Sequence, residues 1–302
     1  MSGHQQALVQ GIRSTQAANF PALRLVSLTR LMALTTGRPE TVLGIIDGPV
    51  RTDHPELASA SIRQLTAPPI PAQTGQGAAS DHATAIAGIL MAGRDTSHPG
   101  ICPDVTLLVR PIFTAAHRVG AVPPAELASA IVETVDAGAR VVNLSLGLVP
   151  LATPAADKGL SQALDHAFQR GAIVVAAAGN QATIGSTEIT RHHAVIPVVA
   201  YDLQGRPLPG SNFAHSTGRR GVGAPGEGVT GLAADGRRAF GGTSAAAAFV
   251  TGAVGLLWSL FPTAGAAELL FAVTRSTARR TSVVPPLLNA AAAFELLRTM
   301  RQ

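Results

Sequence analysis

The chain has a single cysteine, Cys102, so an intramolecular disulfide is excluded. Aromatic residues make up only 4% of its 302 residues, and the core must therefore be packed from aliphatic and small side chains. Lys158 is the only lysine, and the arginines are scattered without interleaved aromatics. Although the formal net charge is +5, we expect a solvated, arginine-rich surface and no nucleic-acid partner.

Signals for export and membrane insertion are also missing. The first residues, Met1 to Gln6, lack the basic start and apolar block of a secretory signal, and no run is expected to reach the length needed to span a bilayer. The 18 acidic residues do not cluster in oxygen-rich loops. We expect a cytoplasmic protein with no cofactor, no metal and no membrane partner. Six histidines are accordingly expected on the surface or in loops, not on a metal: His98, His117, His166, His192, His193 and His215.

Aliphatic residues dominate instead: 46% of the chain is hydrophobic, enough for one sizeable domain or two small ones. Short apolar runs that end in turn residues alternate with helical segments such as Pro124–Ala137 and Ser161–Arg170. This alternation predicts an α/β fold with a mainly parallel central sheet and helices on both faces. The predicted strands are Thr41–Ile46, Val105–Val109, Arg140–Leu146, Ala172–Ala178 and Ala194–Ala200.

Polar residues stand at or just after the ends of three of these apolar runs. They are Asp47, Ser145 and Asn180. In parallel α/β folds, functional groups gather at the carboxyl ends of the strands. The three residues are therefore candidates for a common site.

A fourth candidate, Ser244, follows two glycines and opens a long run of small and apolar residues. A helix that is apolar all round is expected in the domain centre. A serine at its start has an unpaired backbone N–H at the positive end of the helix dipole, where an oxyanion can bind. The alternative is that Thr243 or Ser244 is only a helix N-cap.

His82 begins another run of small residues and is a candidate general base. Taken singly, however, each candidate favours a structural role. His82 can be a helix-start residue with a local hydrogen bond, and Asp47 and Asn180 can be turn residues. Their order along the chain makes the functional interpretation stronger.

Four segments together resemble the signature blocks of the subtilisin family of serine proteases, in that family's order of Asp, His, Asn and Ser. The resemblance extends over roughly residues 40–295 and includes Asn143-Leu144-Ser145-Leu146-Gly147 and Ala224-Pro225-Gly226. It implies a three-layer, subtilisin-like fold. The four segments are Ile45-Ile46-Asp47, His82 to Gly88, Ala177-Ala178-Gly179-Asn180 and Gly242-Thr243-Ser244.

By this resemblance, Asp47, His82 and Ser244 form a catalytic triad and Asn180 is an oxyanion donor. A peptide substrate is then expected to pair with Ser145, Leu146 and Gly147 by strand addition. The pocket for the residue before the cut is expected to be apolar and to involve Leu146 with Ala177, Ala178 and Gly179.

The chain departs from the family pattern in the block that contains His82. Alanine stands at Ala83, where the family usually has glycine, and at Ala85, where it usually has a second histidine. Ala248 stands near a usual proline. None of these is a reacting group, so the departures bear on rate and substrate preference more than on the type of reaction.

The motif Asp47-Gly48-Pro49-Val50, followed by Asp53-His54-Pro55, is similar to that of the subtilisin-like proteases of cyanobactin and related maturation pathways. That similarity implies cleavage of leader peptides from ribosomally made precursors. General intracellular proteolysis remains the alternative. A catalytically inactive relative that keeps the peptide groove is the rival from another class.

The chain is expected to divide into a helical preamble, residues 1–37, packed on a peptidase domain, residues 38–302. Leu23–Leu34 is interpreted as one amphipathic helix that ends near Gly37. The sequence predicts no oligomeric state.

Overall fold

The computed structural model describes residues 21–65, 77–113, 121–148, 155–275 and 282–302. Three features of the sequence lie wholly or almost wholly outside these ranges. They are the Pro/Gly-rich loop over Ala67–Gly77, His117, and the pair Arg279-Arg280.

A sheet of seven parallel strands forms the centre of the described structure, in the order β2-β3-β1-β5-β7-β8-β9. Two small pairs accompany it: β4 with β6, parallel, and β10 with β11, antiparallel. The strands are β1 Val42–Asp47, β2 Ser61–Gln64, β3 Thr106–Pro111, β4 Ala121–Val122, β5 Val141–Leu144, β6 Gly147–Leu148, β7 Ile173–Ala177, β8 Val195–Tyr201, β9 Val222–Pro225, β10 Thr230–Ala233 and β11 Gly236–Ala239.

Helices cover both faces of this sheet, because each central strand is apolar on both sides. In β1, Ile45 faces one hydrophobic core and its neighbour Ile46 faces the other. The predicted α/β fold is therefore confirmed. The helices of the described residues are α1 Pro21–Leu25, α2 Leu28–Leu34, α3 Ala78–Met91, α4 Pro124–Asp136, α5 Ala155–Gln169, α6 Glu188–Arg191, α7 His215–Arg220, α8 Gly242–Leu260, α9 Ala266–Arg275 and α10 Ala290–Met300.

Helix α8 is the central helix of the larger core. It is long and apolar enough, by length and composition, to cross a membrane, so the expectation that no run reaches such a length was wrong. In the fold, however, 94% of that apolar window is buried inside the protein. The length reflects a helix packed on every side, as its all-round apolar sequence predicts.

The N-terminal segment differs from the prediction of one helix over Leu23–Leu34. Two helices form instead, separated at Ser27, whose φ of 55° is left-handed. The break allows Val26 and Leu28, on either side of it, both to be fully buried. Tertiary packing here overrides the helical periodicity of the sequence.

The predicted strand Arg140–Leu146 is also shorter than expected. Strand β5 ends at Leu144, and the chain resumes as β6 only at Gly147. The backbone therefore leaves the central sheet at Ser145. Cys102 is fully buried, and burial raises the pKa of its thiol to about 12.

Candidate active site

The strands β1, β5 and β7 are direct neighbours in the sheet, and their carboxyl ends lie side by side. Asp47 is the last residue of β1, Ser145 follows β5, and Asn180 comes three residues after β7. The order of strands in space thus brings together three residues that are far apart in sequence, as expected for this fold class.

Asp47 holds the imidazole of His82. The Nδ1 atom of His82 lies 2.9 Å from each carboxylate oxygen of Asp47. Asp47 is fully buried, and its Oδ1 also accepts a hydrogen bond from the Gly48 backbone N–H at 2.7 Å. Gly48 is required there, because a Cβ atom would lie 2.2 Å from the carbonyl oxygen of Ala79 at the start of α3.

Two opposing effects set the protonation of His82. Burial disfavours the imidazolium and lowers its pKa, while the charge of Asp47 and its hydrogen bond raise it. The net result is a pKa for His82 above the ordinary value of 6.5. The Asp47 carboxylate therefore favours a proton on this ring, as a general base requires.

Residues that the sequence did not indicate lie near His82. The ring of Phe240 meets that of His82 edge-on, with centroids 5.3 Å apart. Beside His82, the carboxylate of Asp81 bridges Arg51 and Arg238 at 3.1 and 3.0 Å. Arg51 and Arg238 come from other elements, so no local pattern in the sequence indicates them.

The side chain of Asn180 is oriented by the start of helix α8. Its Oδ1 accepts hydrogen bonds from the backbone N–H and the hydroxyl of Thr243, at 3.0 and 3.2 Å. The Nδ2 donors of the amide are thereby left for another acceptor. Gly242, with φ of 72°, makes this approach possible, since a Cβ there would lie 2.8 Å from Asn180 Oδ1.

Ser244 is the third residue of α8 and lines a cleft of about 470 Å³. Its backbone carbonyl accepts a long hydrogen bond, 3.4 Å, from the Ser145 hydroxyl. His82 and Asn180 line the same cleft. Of the four residues predicted to form the triad and the oxyanion donor, three thus face one cavity, and Asp47 lies directly behind His82.

The six residues predicted to bind substrate all line this cleft as well: Ser145, Leu146, Gly147, Ala177, Ala178 and Gly179. Thr187, Ile189 and Asn212 also line it and were not predicted. Asn212 braces the Asn180 loop, because its Oδ1 accepts from the backbone N–H groups of Gln181 and Thr183. The sequence does contain a signal for the helix that carries Ile189. It is a Thr-x-x-Thr capping box at Thr187, which precedes α6.

Part of the segment that is predicted to pair with substrate already pairs with another strand. Gly147 lies opposite Ala121, and Leu148 opposite Val122, in the parallel pair of β6 with β4. Ser145 and Leu146, which precede this pair, lie outside both strands. An extended peptide that pairs along the whole segment must therefore use the edge of Gly147 that β4 leaves free, or displace β4.

His192 lies in the loop between α6 and β8, as expected, but it is buried and lies 3.1 Å from the Asp165 carboxylate. His193 is adjacent, and the three residues have the spacing of a possible metal site. The Nδ1 atom of His192 accepts from the Ala194 backbone N–H. In this arrangement Nε2 carries the proton given to Asp165, so it has no lone pair for a metal.

Sequence comparisons agree with the resemblance. The model of the subtilase family matches residues 38–293. The chain is 31% identical over 229 residues to a thermophilic serine proteinase of Bacillus sp. (strain AK1), covering 75% of this chain and 54% of that protein. It is 28% identical over 233 residues to subtilisin DY of Bacillus licheniformis, covering 75% and 80%. The chain thus spans about half the length of the first relative.

Solved structures extend the comparison to the fold. The self-cleaved protease domain of PatA has a TM-score of 0.75 and 32% identity, over 87% of this chain and 98% of that one. The prenylagaramide maturation protease PagA has a TM-score of 0.79 and 26% identity, over 89% and 98%. The PatG macrocyclase in complex with peptide is 20% identical, with a TM-score of 0.77, and shares the fold.

Proposed function

The chain belongs to the subtilase family and is a serine endopeptidase; from this premise we propose that Asp47, His82 and Ser244 are its catalytic triad. The observation that carries the proposal is the Asp47–His82 pair. Two carboxylate oxygens at 2.9 Å hold Nδ1, and the ring faces the cleft that Ser244 also lines. That is the arrangement in which a carboxylate fixes the tautomer of a histidine base.

The reaction follows in two halves. The Ser244 Oγ attacks the scissile carbonyl carbon, and His82 Nε2 takes the hydroxyl proton and then gives it to the leaving amine. This leaves an acyl-enzyme on Ser244. Water then gives a proton to His82 and attacks the ester carbonyl; His82 returns that proton to Ser244 Oγ as the acid product leaves, which restores the serine hydroxyl. Asp47 stabilises the imidazolium in both halves.

We further propose that Asn180 stabilises the oxyanion. Thr243 donates its hydrogen bonds to Oδ1 of the Asn180 amide. An Nδ2–H group of the same amide is therefore available for the negative oxygen that develops on the substrate. The backbone N–H of Ser244, in the first turn of α8, is the second donor. The positive end of the helix dipole adds to both.

The substrate is a peptide whose residue before the cut is apolar. The cleft beside Ser244 is walled by Ala177, Ala178 and Ile189, and the residues that line it in the described structure include no acid, lysine or arginine. An apolar or aromatic side chain fills such a space without leaving a charge unpaired. The extended backbone of the peptide pairs with Ser145-Leu146-Gly147 by strand addition.

The natural substrate that we propose is a ribosomally made precursor, from which the enzyme removes a leader peptide. The support is twofold: the motif from Asp47 to Pro55, and the likeness to PatA and PagA over nearly their full solved chains. PagA is, by its name, a maturation protease. General intracellular proteolysis is the competing function. The cytoplasmic location stays a prediction.

Cleavage profiling distinguishes the two functions. Random peptide libraries would be compared with precursor peptides encoded beside the gene, by mass spectrometry of the products. Leader cleavage predicts one main cut in a precursor and loss of that cut when distant leader residues are changed. Broad cutting that ignores distant sequence would favour general proteolysis. Peptide binding without any cleavage would favour the inactive relative.

A further inference from the structure

Helix α8 carries Ser244 but has few directional contacts with the sheet beneath it. Nearly all of its side chains are small or apolar and fully buried, such as Ala246, Val250 and Val254. The hydrophobic effect is strong but not directional, so hydrogen bonds supply the directional contacts that add to steric packing in fixing the helix along its axis. A nucleophile at the helix start requires that position to be fixed.

Three buried hydroxyl residues of α8 supply directional bonds at intervals along its length. Thr243 binds Asn180 Oδ1 near the start. In the middle, Thr251 Oγ1 donates to Asn143 Oδ1 at 2.9 Å. Near the end, Ser259 Oγ donates to the Gly255 carbonyl at 2.8 Å and lies 2.9 Å from Thr41 Oγ1, whose hydroxyl can donate to it.

The Thr251–Asn143 hydrogen bond differs from the Ser259–Thr41 contact because Asn143 is also hydrogen-bonded to a residue of the candidate site. Asn143 lies in β5, with Ile45 and Val175 as its neighbours in the sheet, and is fully buried. Its Nδ2 donates to the Ser145 hydroxyl at 2.9 Å. The Ser145 hydroxyl in turn donates to the Ser244 carbonyl at 3.4 Å.

One amide therefore joins the substrate segment, the middle of helix α8 and, through Ser145, the backbone of Ser244. Thr251 and Asn143 are both fully buried, and buried hydrogen bonds are strengthened in a low-dielectric interior. Asn143 has its acceptor bound by Thr251 and a donor bound to Ser145, which fixes the orientation of the amide.

We propose that Thr251 and Asn143 form a positioning pair that sets where Ser244 lies relative to the substrate segment at Ser145. The inference rests on the proposed function, because it takes Ser244 as the nucleophile. Neither member of the pair touches substrate. The pair acts through the placement of α8, and displacement of a nucleophile by about 1 Å can lower a rate by about 10²-fold.

Thr251→Val tests the pair, because valine keeps the shape of threonine and removes the hydroxyl donor. With an activated ester of a peptide as substrate, we expect kcat to fall roughly 10- to 100-fold while KM changes little. The pH midpoint of activity should not move, since Asp47 and His82 are untouched. Thr251→Ser keeps the donor and should restore kcat.

Ser259→Ala is the matched control. It removes a buried hydroxyl from the same helix, hydrogen-bonded to Thr41 and the Gly255 carbonyl, but at the end away from the site. A comparable fall in Tm with kcat unchanged is expected. If Thr251→Val lowers Tm as Ser259→Ala does and keeps the wild-type kcat, the pair is only structural and the proposal is overturned.

Two further outcomes keep the test decisive. If Thr251→Val does not fold, the double variant Asn143→Leu/Thr251→Val, which leaves neither partner buried and unpaired, is measured instead. Reduced kcat in the folded double variant supports the pair, and wild-type kcat overturns it. If the wild-type protein does not turn over the ester at all, the proposed function fails, and the positioning role fails with it.

Discussion

Two halves of the candidate site are built on different physical principles. The acid–base half, Asp47 and His82, is held by a buried charge and the hydrogen bonds that it accepts. The oxyanion half, Asn180 and Ser244, is held by neutral hydrogen bonds and by Gly242, which lets the Asn180 side chain approach the start of α8. Activity that depends on the acid–base half should therefore change with pH. Activity that depends on the oxyanion half should change when a side chain is enlarged or a hydrogen-bond donor is removed.

The largest effect is expected in the oxyanion half, from loss of the nucleophile. Ser244→Ala should lower kcat by about 10⁶-fold, as for other enzymes with this triad. Steady-state hydrolysis of a peptide ester measures it, with circular dichroism to verify folding. Residual activity within about 10²-fold of wild type would mean that a group other than Ser244 attacks the substrate. Ser244 would then not belong to the oxyanion half as defined here.

The next largest effect is expected from Asp47→Asn in the acid–base half. The asparagine keeps the shape but favours the wrong imidazole tautomer, so kcat should fall about 10⁴-fold. The measurement is kcat at a pH well above the pKa of His82. A loss of less than about tenfold would show that the ring does not need the carboxylate.

The same variant separates the halves by pH. In the wild type the base is neutral, and active, only above a midpoint higher than 6.5, because Asp47 raises the pKa of His82. Asp47→Asn removes that charge and leaves the burial, so the midpoint of kcat/KM should move below 6.5. His82 also stabilises the fold fully below pH 6.5, and this contribution is lost as pH rises through its raised pKa.

A smaller effect is expected from Asn180→Leu, which removes the proposed oxyanion donor. We expect kcat to fall roughly 10²- to 10³-fold with little change in KM. The pH midpoint should stay at the wild-type value, in contrast to Asp47→Asn. If the midpoint moved with both variants, the two halves would be coupled electrostatically and the distinction between them would be wrong.

The smallest effect is expected from Ala83→Gly, which restores the residue usual in the family beside the base. The imidazole is held directly by Asp47 and flanked by Phe240, so kcat/KM should change only a few-fold. Glycine inside a helix lowers the free energy of unfolding by about 1 kcal/mol relative to alanine. Urea denaturation measures that loss. A large gain in kcat would show that Ala83 displaces His82.

Much of this arrangement could be predicted from the sequence, because it follows from local signals in a known order. Continuous apolar runs that end in Asp47 and near Asn180 indicated parallel strands, and the glycines before Ser244 indicated a helix start. The residues missed were those whose roles depend on tertiary neighbours. Phe240 touches His82 from another element, and Ile189 reaches the cleft from a four-residue helix.

The errors have the same origin. Periodicity over Leu23–Leu34 predicted one helix, but packing of Val26 and Leu28 requires the break at Ser27. The apolar run through Leu146 predicted one strand, yet the chain leaves the sheet at Ser145. The helix break and the end of the strand both depend on tertiary contacts, which a local sequence pattern does not contain.

The most direct test of the central claim is to map the adduct that a fluorophosphonate probe forms on the folded protein. Mass spectrometry of the digested protein should find one modified serine, Ser244, and the rate of labelling should fall in acid as His82 becomes protonated. Asp47→Asn should label far more slowly. No labelling of Ser244 in folded wild-type protein, or labelling that is independent of Asp47 and His82, would contradict the assignment of the triad.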